Sequence, residues 1–138
     1  MIAYVDSSVL LRVLLGQEKQ LSEWKSIETG VASALVEVEC LRTLDRLRLL
    51  AHVPESEIAV RRETVFRLLE SMDVVEPSWL VLRRASQPMP AALGTLDAIH
   101  LATAQLWQES RGSNLVMATH DAALGLAARA SGMRVVGV

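Results

Sequence analysis

The sequence contains few of the residues that build disulfide frameworks or zinc sites. Only one cysteine and three histidines occur among its 138 residues. A single cysteine cannot form a disulfide within the chain, and Cys40 falls in an apolar helical pattern, so we expect a buried and unreactive thiol. Because zinc prefers cysteine and histidine ligands, their scarcity also argues against a zinc enzyme.

Long apolar runs and a strong net charge are absent too. No segment reaches the roughly 18 consecutive apolar residues of a membrane span, and residues 1–6 lack the charged-then-apolar order of a signal peptide. These absences lead us to expect a cytoplasmic protein with no membrane association. The formal net charge is -2, so any affinity for RNA must come from a local patch rather than from the molecule as a whole.

Apolar residues, by contrast, are abundant and make up 51% of the sequence. A chain of 138 residues can bury a hydrophobic core without covalent staples, so we expect a single domain over residues 1–138. The apolar fraction is high for so small a protein. This suggests that some apolar surface is reserved for a partner chain, and a second copy of the same chain is the simplest partner.

Short apolar segments alternate with helical patterns along the whole chain. Strands are expected at 2–5, 30–33, 73–76, 115–118 and 133–138. Helices are expected at 9–15, 17–27, 34–50, 57–70, 79–82, 94–109 and 122–130, the first of them capped by Ser7 or Ser8. Crossovers between parallel strands place helices on both faces of a sheet. The alternation therefore predicts an α/β protein, a three-layer α/β/α sandwich with a central parallel sheet of the Rossmann-like type.

Four acidic residues stand where such a sheet would bring them together. Asp6 follows the first strand, and Asp121 follows the strand at 115–118. Asp97 and Glu39 lie in the first and second turns of their helices. Ligands of open parallel sheets bind beyond the carboxyl ends of the strands, and the helix starts face that same edge. We therefore expect the four carboxylates to converge at one edge of the sheet.

Crowded carboxylates repel one another, and a divalent cation offsets that repulsion. Oxygen ligands suit Mg²⁺ or Mn²⁺. Such an ion can bind a scissile phosphate, lower the pKa of a water molecule and offset charge on the leaving oxygen. The pattern thus indicates metal-dependent hydrolysis of a phosphodiester.

Each acid also has a purely structural interpretation. Asp6 and Asp121 are natural helix N-caps, and Asp97 places a favourable negative charge at a helix start. Glu39 shares its helix with several arginines, so a solvent-exposed ion pair with Arg42 is favoured by composition alone. From the residues alone these interpretations stay open beside the metal site.

Four stretches of the sequence together resemble the PIN domain and, within that superfamily, the VapC toxins. They are AYVDSSVLL at 3–11, SALVEVECLR at 33–42, LDAIHLATA at 96–104 and THDAAL at 119–124. Each stretch is a weak signal alone, but together they span nearly the whole chain in the order of the family. No departure from the family pattern removes a site residue.

The resemblance implies which residues are catalytic. The implied acidic quartet consists of Asp6, Glu39, Asp97 and Asp121. Asp6 and Asp97 would be the primary metal ligands, and Glu39 and Asp121 would support them or hold a second metal ion. The family pattern also selects Glu39 over Glu37. Thr119 would orient a water molecule or a ligand beside Asp121.

The resemblance further implies the toxin of a type II toxin–antitoxin system, an endoribonuclease that uses Mg²⁺ or Mn²⁺ to cleave single-stranded regions of RNA. It implies a homodimer and a cognate antitoxin of the VapB kind. Arg42 shares the helical face of Glu39, so it either contacts a phosphate or carboxylate near the site or forms a solvated ion pair. We expect His100 to be packed near the ligands rather than to bind metal, and His52 and His120 to lie at the surface.

Two other functions compete with the nuclease. A haloacid-dehalogenase-like phosphohydrolase also uses an aspartate after its first strand, but it needs a second aspartate two residues on and a late lysine. Here Ser8 occupies that position, and no lysine follows Lys25. A non-catalytic PIN-like binding module is the more serious rival, because a fold does not determine a function. Metal titration and an RNA cleavage assay would separate it from the nuclease.

Overall fold

Five short strands and six α-helices alternate along the chain, and the computed structural model describes residues 1–138. The strands are β1 (Ile2–Val5), β2 (Thr29–Ser33), β3 (Asp73–Val75), β4 (Val116–Ala118) and β5 (Arg134–Val136). The helices are α1 (Ser7–Leu14), α2 (Leu35–Leu50), α3 (Glu55–Glu70), α4 (Trp79–Ala85), α5 (Thr95–Arg111) and α6 (Ala122–Ala130). None of these helices combines the length and apolar character needed to cross a membrane.

The five strands form one parallel sheet in the order β3-β2-β1-β4-β5. β1 lies at its centre, and Tyr4 pairs with Val31 on one side and Met117 on the other. All the carboxyl ends of the strands therefore meet at one edge. That edge receives the residues that follow β1 and β4, which is where the sequence places Asp6 and Asp121.

Successive side chains of a strand point to opposite faces of the sheet, and helices cover both faces. Ala3 and Val5 of β1 belong to a buried cluster with residues of α1, α2 and α3. Tyr4 faces the other way, into a cluster with Leu101 of α5 and Leu124 of α6. The predicted three-layer α/β/α sandwich with a parallel sheet is confirmed.

The helix predicted at 17–27 is wrong, because the structure has only a single turn of 3-10 helix, Trp24–Ser26, in this region. Gly16 and Lys19 both adopt a positive φ, of 60° and 62°, which a right-handed helix does not allow. The Arg12 guanidinium donates a hydrogen bond to the Lys19 carbonyl at 3.0 Å and so holds this segment as a loop.

The last strand is shorter than the predicted 133–138. It ends at Val136, because Gly137 has a φ of 101°, far from an extended conformation. A Cβ atom at position 137 would lie 2.3 Å from the Thr119 carbonyl oxygen. The chain thus passes so close to the end of β4 that only glycine fits there.

Candidate active site

Asp6 is buried directly after β1 and is held by hydrogen bonds to one of its oxygens. The Thr119 hydroxyl donates to Asp6 Oδ2 at 2.9 Å, and the Ser8 hydroxyl donates to the same atom at 2.5 Å. The Ser8 backbone N–H adds a longer contact of 3.3 Å, so Asp6 is the N-cap of α1. The prediction that Ser7 or Ser8 caps this helix is therefore wrong. These donors stabilise a carboxylate that burial would otherwise make costly.

Thr119 joins two of the predicted acids. It is fully buried after β4. Its hydroxyl oxygen accepts a hydrogen bond from the Asp121 backbone N–H at 2.9 Å, and the same hydroxyl donates a hydrogen bond to Asp6. Asp121 in turn accepts the Leu124 N–H at 2.8 Å and is the N-cap of α6. Thr119 thus positions Asp6 and the start of α6 together.

Glu39 reaches the site through His100. His100 Nε2 donates to Glu39 Oε2 at 2.8 Å and lies 3.8 Å from Asp6 Oδ1. The exposed ion pair of Glu39 with Arg42, which composition favoured, is wrong. Glu37 is exposed on the same helix, whereas Glu39 is half-buried beside His100.

His100 is completely buried, and its other ring nitrogen, Nδ1, lies 2.8 Å from the Tyr4 hydroxyl. Burial opposes a charge on this ring. The hydrogen bond to Glu39 and the negative charges of Asp6, Glu39 and Asp97 outweigh that effect, so the pKa of His100 is raised. The expectation that His100 packs beside the acids is in keeping with these contacts.

Asp97 lies in the first turn of α5 and is half-buried. Its pKa is raised, first by burial and then by the negative charges of Asp121 and Asp6, with a smaller contribution from Glu39 and an opposing one from His100. The four predicted acids therefore act on one another electrostatically. The structure brings all of them to the carboxyl edge of the sheet.

The donor set suits a divalent cation chemically. The carboxylates repel one another, and that repulsion is the cost that a bound cation would relieve. No group of three or more histidine, cysteine, aspartate or glutamate side chains is close enough together to hold a metal ion as the side chains stand. Asp6, Asp97, Asp121 and Glu39 are the residues that could hold an ion at this edge.

Arg42 is 69% exposed and pairs with Asp45 at 3.3 Å. Of the two alternatives for Arg42, the structure thus shows the solvated ion pair. Arg42 also lines a cavity of about 440 Å³ together with Glu39 and Arg46. A surface pair of this kind contributes little stability, about 1 kcal/mol at most, so Arg42 can exchange Asp45 for another anion at small cost.

Two features of the site were missed by the sequence reasoning. Ser8 was assigned to helix capping, yet its hydroxyl both donates to Asp6 and accepts the His120 backbone N–H at 2.9 Å. His120 was expected at the surface, but it is half-buried and donates from Nδ1 to the Gly137 carbonyl at 2.9 Å. The spacing of Ser8 two residues after a capping aspartate is the one signal that pointed to its contact. His52 is exposed as expected.

These contacts define an α/β/α protein with a carboxylate site at the carboxyl edge of its parallel sheet. Comparison with known proteins agrees with the fold. The model of the PIN domain family matches residues 3–129. Ribonuclease VapC46 of Mycobacterium tuberculosis (strain ATCC 25618 / H37Rv) is 31% identical over 136 residues, which cover 96% of this chain and 95% of the relative.

Solved structures share the fold at lower sequence identity. The structure of FitAB bound to an IR36 DNA fragment matches with a TM-score of 0.70 and 16% identity, over 98% of this chain and 93% of the other. A toxin-antitoxin complex from Klebsiella pneumoniae matches with a TM-score of 0.64 and 17% identity, over 86% of both chains. The chain belongs to the PIN domain family and, within it, to the VapC group.

Proposed function

We propose that this protein is the toxin of a type II toxin–antitoxin system, an endoribonuclease that requires Mg²⁺ or Mn²⁺ and cleaves single-stranded regions of RNA. The observation that carries the proposal is the hydrogen-bonded placement of Asp6 and Asp121 by Thr119 and of Glu39 by His100 at the carboxyl edge of the sheet, with Asp97 coupled to them. The similarity to a protein named Ribonuclease VapC46 supports the choice of RNA as substrate.

In this proposal Asp6 and Asp97 are the primary ligands, and Glu39 and Asp121 support them or hold a second ion. A bound divalent cation would supply compensation for the phosphate charge and activation of the attacking water. Thr119 holds Asp6 in place and, with Asp121 beside it, is positioned to orient a water molecule or a ligand. The chain's own contribution is thus to hold the acids in a fixed arrangement before substrate arrives.

The substrate strand is proposed to enter through the cavity beside Glu39. Arg42 and Arg46 lie on its wall, and Arg46 makes no contact with a carboxylate. Two guanidinium groups next to an acidic site offer contacts for flanking phosphates, while the acids act on the scissile one.

Cleavage of labelled single-stranded RNA tests the proposal. Activity should need Mg²⁺ or Mn²⁺, stop with EDTA, and fall at least about a hundredfold in Asp97→Asn and Asp6→Asn. Glu39→Gln should lose activity, and its matched control is Glu37→Gln, an exposed acid on the same helix that should keep it. Undiminished cleavage by Asp97→Asn would show that the acidic site is not the active site.

The partner is proposed to be a small VapB-like antitoxin that covers this cavity. Val38 and Leu96 line it and are 58% and 49% exposed, which offers apolar contact next to the acids. A basic side chain of the antitoxin could enter among the carboxylates and replace the cation electrostatically. Mn²⁺ binding to the complex should then be weaker than to the free protein. Equal affinity would disprove the insertion of a basic side chain.

We also propose a homodimer of a single domain that spans residues 1–138. Its support is the number of large apolar side chains at the surface, among them Leu50, Trp79 and Leu80. Sedimentation at micromolar concentration should show twice the mass of one chain. A monomer under those conditions would contradict the dimer.

A non-catalytic RNA-binding protein is the second candidate. Asp6 and Asp121 both serve as N-caps, which gives each a role without any metal. This candidate predicts RNA binding without cleavage, and binding that Asp97→Asn strengthens by removing a negative charge. The same labelled RNA distinguishes the two, because only the nuclease shortens it.

A further inference from the structure

A buried chain of polar groups runs from the centre of the sheet to Glu39. The Tyr4 hydroxyl lies 2.8 Å from His100 Nδ1, and His100 Nε2 lies 2.8 Å from Glu39 Oε2. Tyr4 and His100 are both fully buried, and Glu39 is 21% exposed. These hydrogen bonds connect β1, α5 and α2.

The direction of these hydrogen bonds follows from chemistry. An ionised Glu39 only accepts, so His100 Nε2 must carry a hydrogen. In the neutral ring Nδ1 then accepts from the Tyr4 hydroxyl, and in the protonated ring Nδ1 donates to the Tyr4 oxygen, so Tyr4 holds the imidazole in either state.

His100 also shares a helix face with Asp97, since it follows Asp97 by three positions along α5. A glutamate side chain has three rotatable bonds and samples several positions unless a partner holds it. Tyr4 sits in the central strand between two neighbours, so it gives the imidazole a rigid reference.

We propose that His100 is a positioning residue for Glu39: it fixes Oε2, leaves Oε1 directed at the acidic site, and is itself oriented by Tyr4. This inference rests on the proposed metal-dependent function of the site. It assigns His100 and Tyr4 a role in metal affinity and not only in packing, in the way that groups behind a ligand tune a metal site.

Two substitutions of similar size separate positioning from packing. The side-chain amide nitrogen of Gln reaches about as far as Nε2, whereas that of Asn reaches only about as far as Nδ1. His100→Gln therefore retains a donor for Glu39 and His100→Asn does not. Tyr4→Phe keeps the packing of the ring and removes only the hydroxyl that orients His100.

Mn²⁺ alone is the probe, measured by electron paramagnetic resonance of the free ion over the purified protein. Affinity should fall about 10- to 100-fold in His100→Asn and in Glu39→Gln, and His100→Gln should recover most of the loss. The Mn²⁺ affinity of Tyr4→Phe should lie between those of His100→Gln and His100→Asn. The double variant His100→Asn/Glu39→Gln should bind no more weakly than either single variant, because both act on one interaction.

Equal losses in His100→Gln and His100→Asn would overturn the proposal, since a packing role predicts them. Wild-type affinity in a folded His100→Asn protein would also overturn it. A second measurement needs no variant. A ¹⁵N spectrum of the wild-type protein should show a hydrogen on His100 Nε2, and an Nε2 without hydrogen would contradict the hydrogen bond from His100 to Glu39. If wild-type protein binds no Mn²⁺ and cleaves no RNA while Nε2 carries its hydrogen, it is the proposed function that fails.

Discussion

Asp97 shows how the surroundings of one residue combine stability with function. It lies at a helix start, where a negative charge is favourable by about 0.3–1 kcal/mol. It also lies half-buried among Asp121, Asp6 and Glu39, which raises its pKa. The raised pKa means that the ionised form costs stability in the native protein, so burial and repulsion together outweigh the helix dipole.

Asp97→Asn is therefore expected to raise the melting temperature of the metal-free protein while it abolishes cleavage. The native pKa exceeds the unfolded one, so the cost is present in full above the native pKa. It disappears as the pH falls through that pKa towards about 3.9, the unfolded value. The difference in melting temperature between the two proteins should shrink over that range.

Glu55→Gln is the matched control for this prediction. Glu55 is an exposed acid in the first turn of α3, and none of the site acids lies on that helix. Its removal should lower stability by a few tenths of a kcal/mol. Thermal melts that show the same sign for both variants would mean that Asp97 is only a helix-start charge.

Cys40 is expected to resist thiol reagents in the native protein. Burial raises the pKa of its thiol to about 12, and the charges of Glu39 and Asp6 act in the same direction. The thiolate is the reactive form, so at pH 8 the native rate should be at least about a thousandfold below that of the unfolded chain. Reaction with an aromatic disulfide reagent, with and without guanidinium, measures this ratio. Fast labelling of folded protein would contradict the burial of the thiol.

At the scale of elements, the site depends on how β4 and β5 end beside each other. The Thr119 backbone N–H donates to the Val136 carbonyl at 3.1 Å, and Gly137 passes directly over the Thr119 carbonyl. Thr119 is also the residue that holds Asp6. A change at the end of β5 should therefore reach the acidic site through one residue.

Gly137→Ala tests this coupling, with Gly132→Ala as its control. Both glycines have a positive φ, of 101° and 82°, but a Cβ at 132 meets no atom within 4 Å. The control should cost about 1 kcal/mol of unfolding free energy from backbone strain alone. Gly137→Ala should cost more and should also slow RNA cleavage. Urea unfolding that gives equal losses for the two variants would contradict the close approach.

At the scale of the whole molecule, a net charge of -2 leaves RNA affinity to a few local groups. Several arginines are engaged with carboxylates, such as Arg84 with Glu109 and Arg61 with Glu57. Arg42 and Arg46 are the cations that line the cavity beside the acids. Binding of RNA should therefore depend only weakly on salt.

About two phosphate contacts predict a slope of about -1.4 for the logarithm of the binding constant against the logarithm of salt concentration. Fluorescence anisotropy of labelled single-stranded RNA in EDTA measures this slope without cleavage. Arg46→Gln should reduce it by about 0.7. Arg48→Gln, which removes an arginine outside the cavity on the same helix, should leave it unchanged. A slope several times steeper would indicate a wider cationic surface.

Much of the fold was predictable because it depends on local patterns. Short apolar runs place the strands, helical spacing of apolar residues places the helices, and parallel crossovers then require three layers. The helix predicted at 17–27 is wrong because the helical spacing there competes with the left-handed backbone of Gly16 and Lys19. That conformation is held by Arg12 from another element, a contact that no local pattern encodes.

The sequence alone determined which acids stand after strands and at helix starts, and the topology of a parallel sheet brings such positions to one edge. Only the tertiary structure decided which polar partner each acid takes. Glu39 is paired with His100, 61 residues away, rather than with Arg42, which lies one helical turn along its own helix. The physical reason is burial: a desolvated imidazole must find an acceptor, whereas an exposed guanidinium is satisfied by water or by any nearby carboxylate.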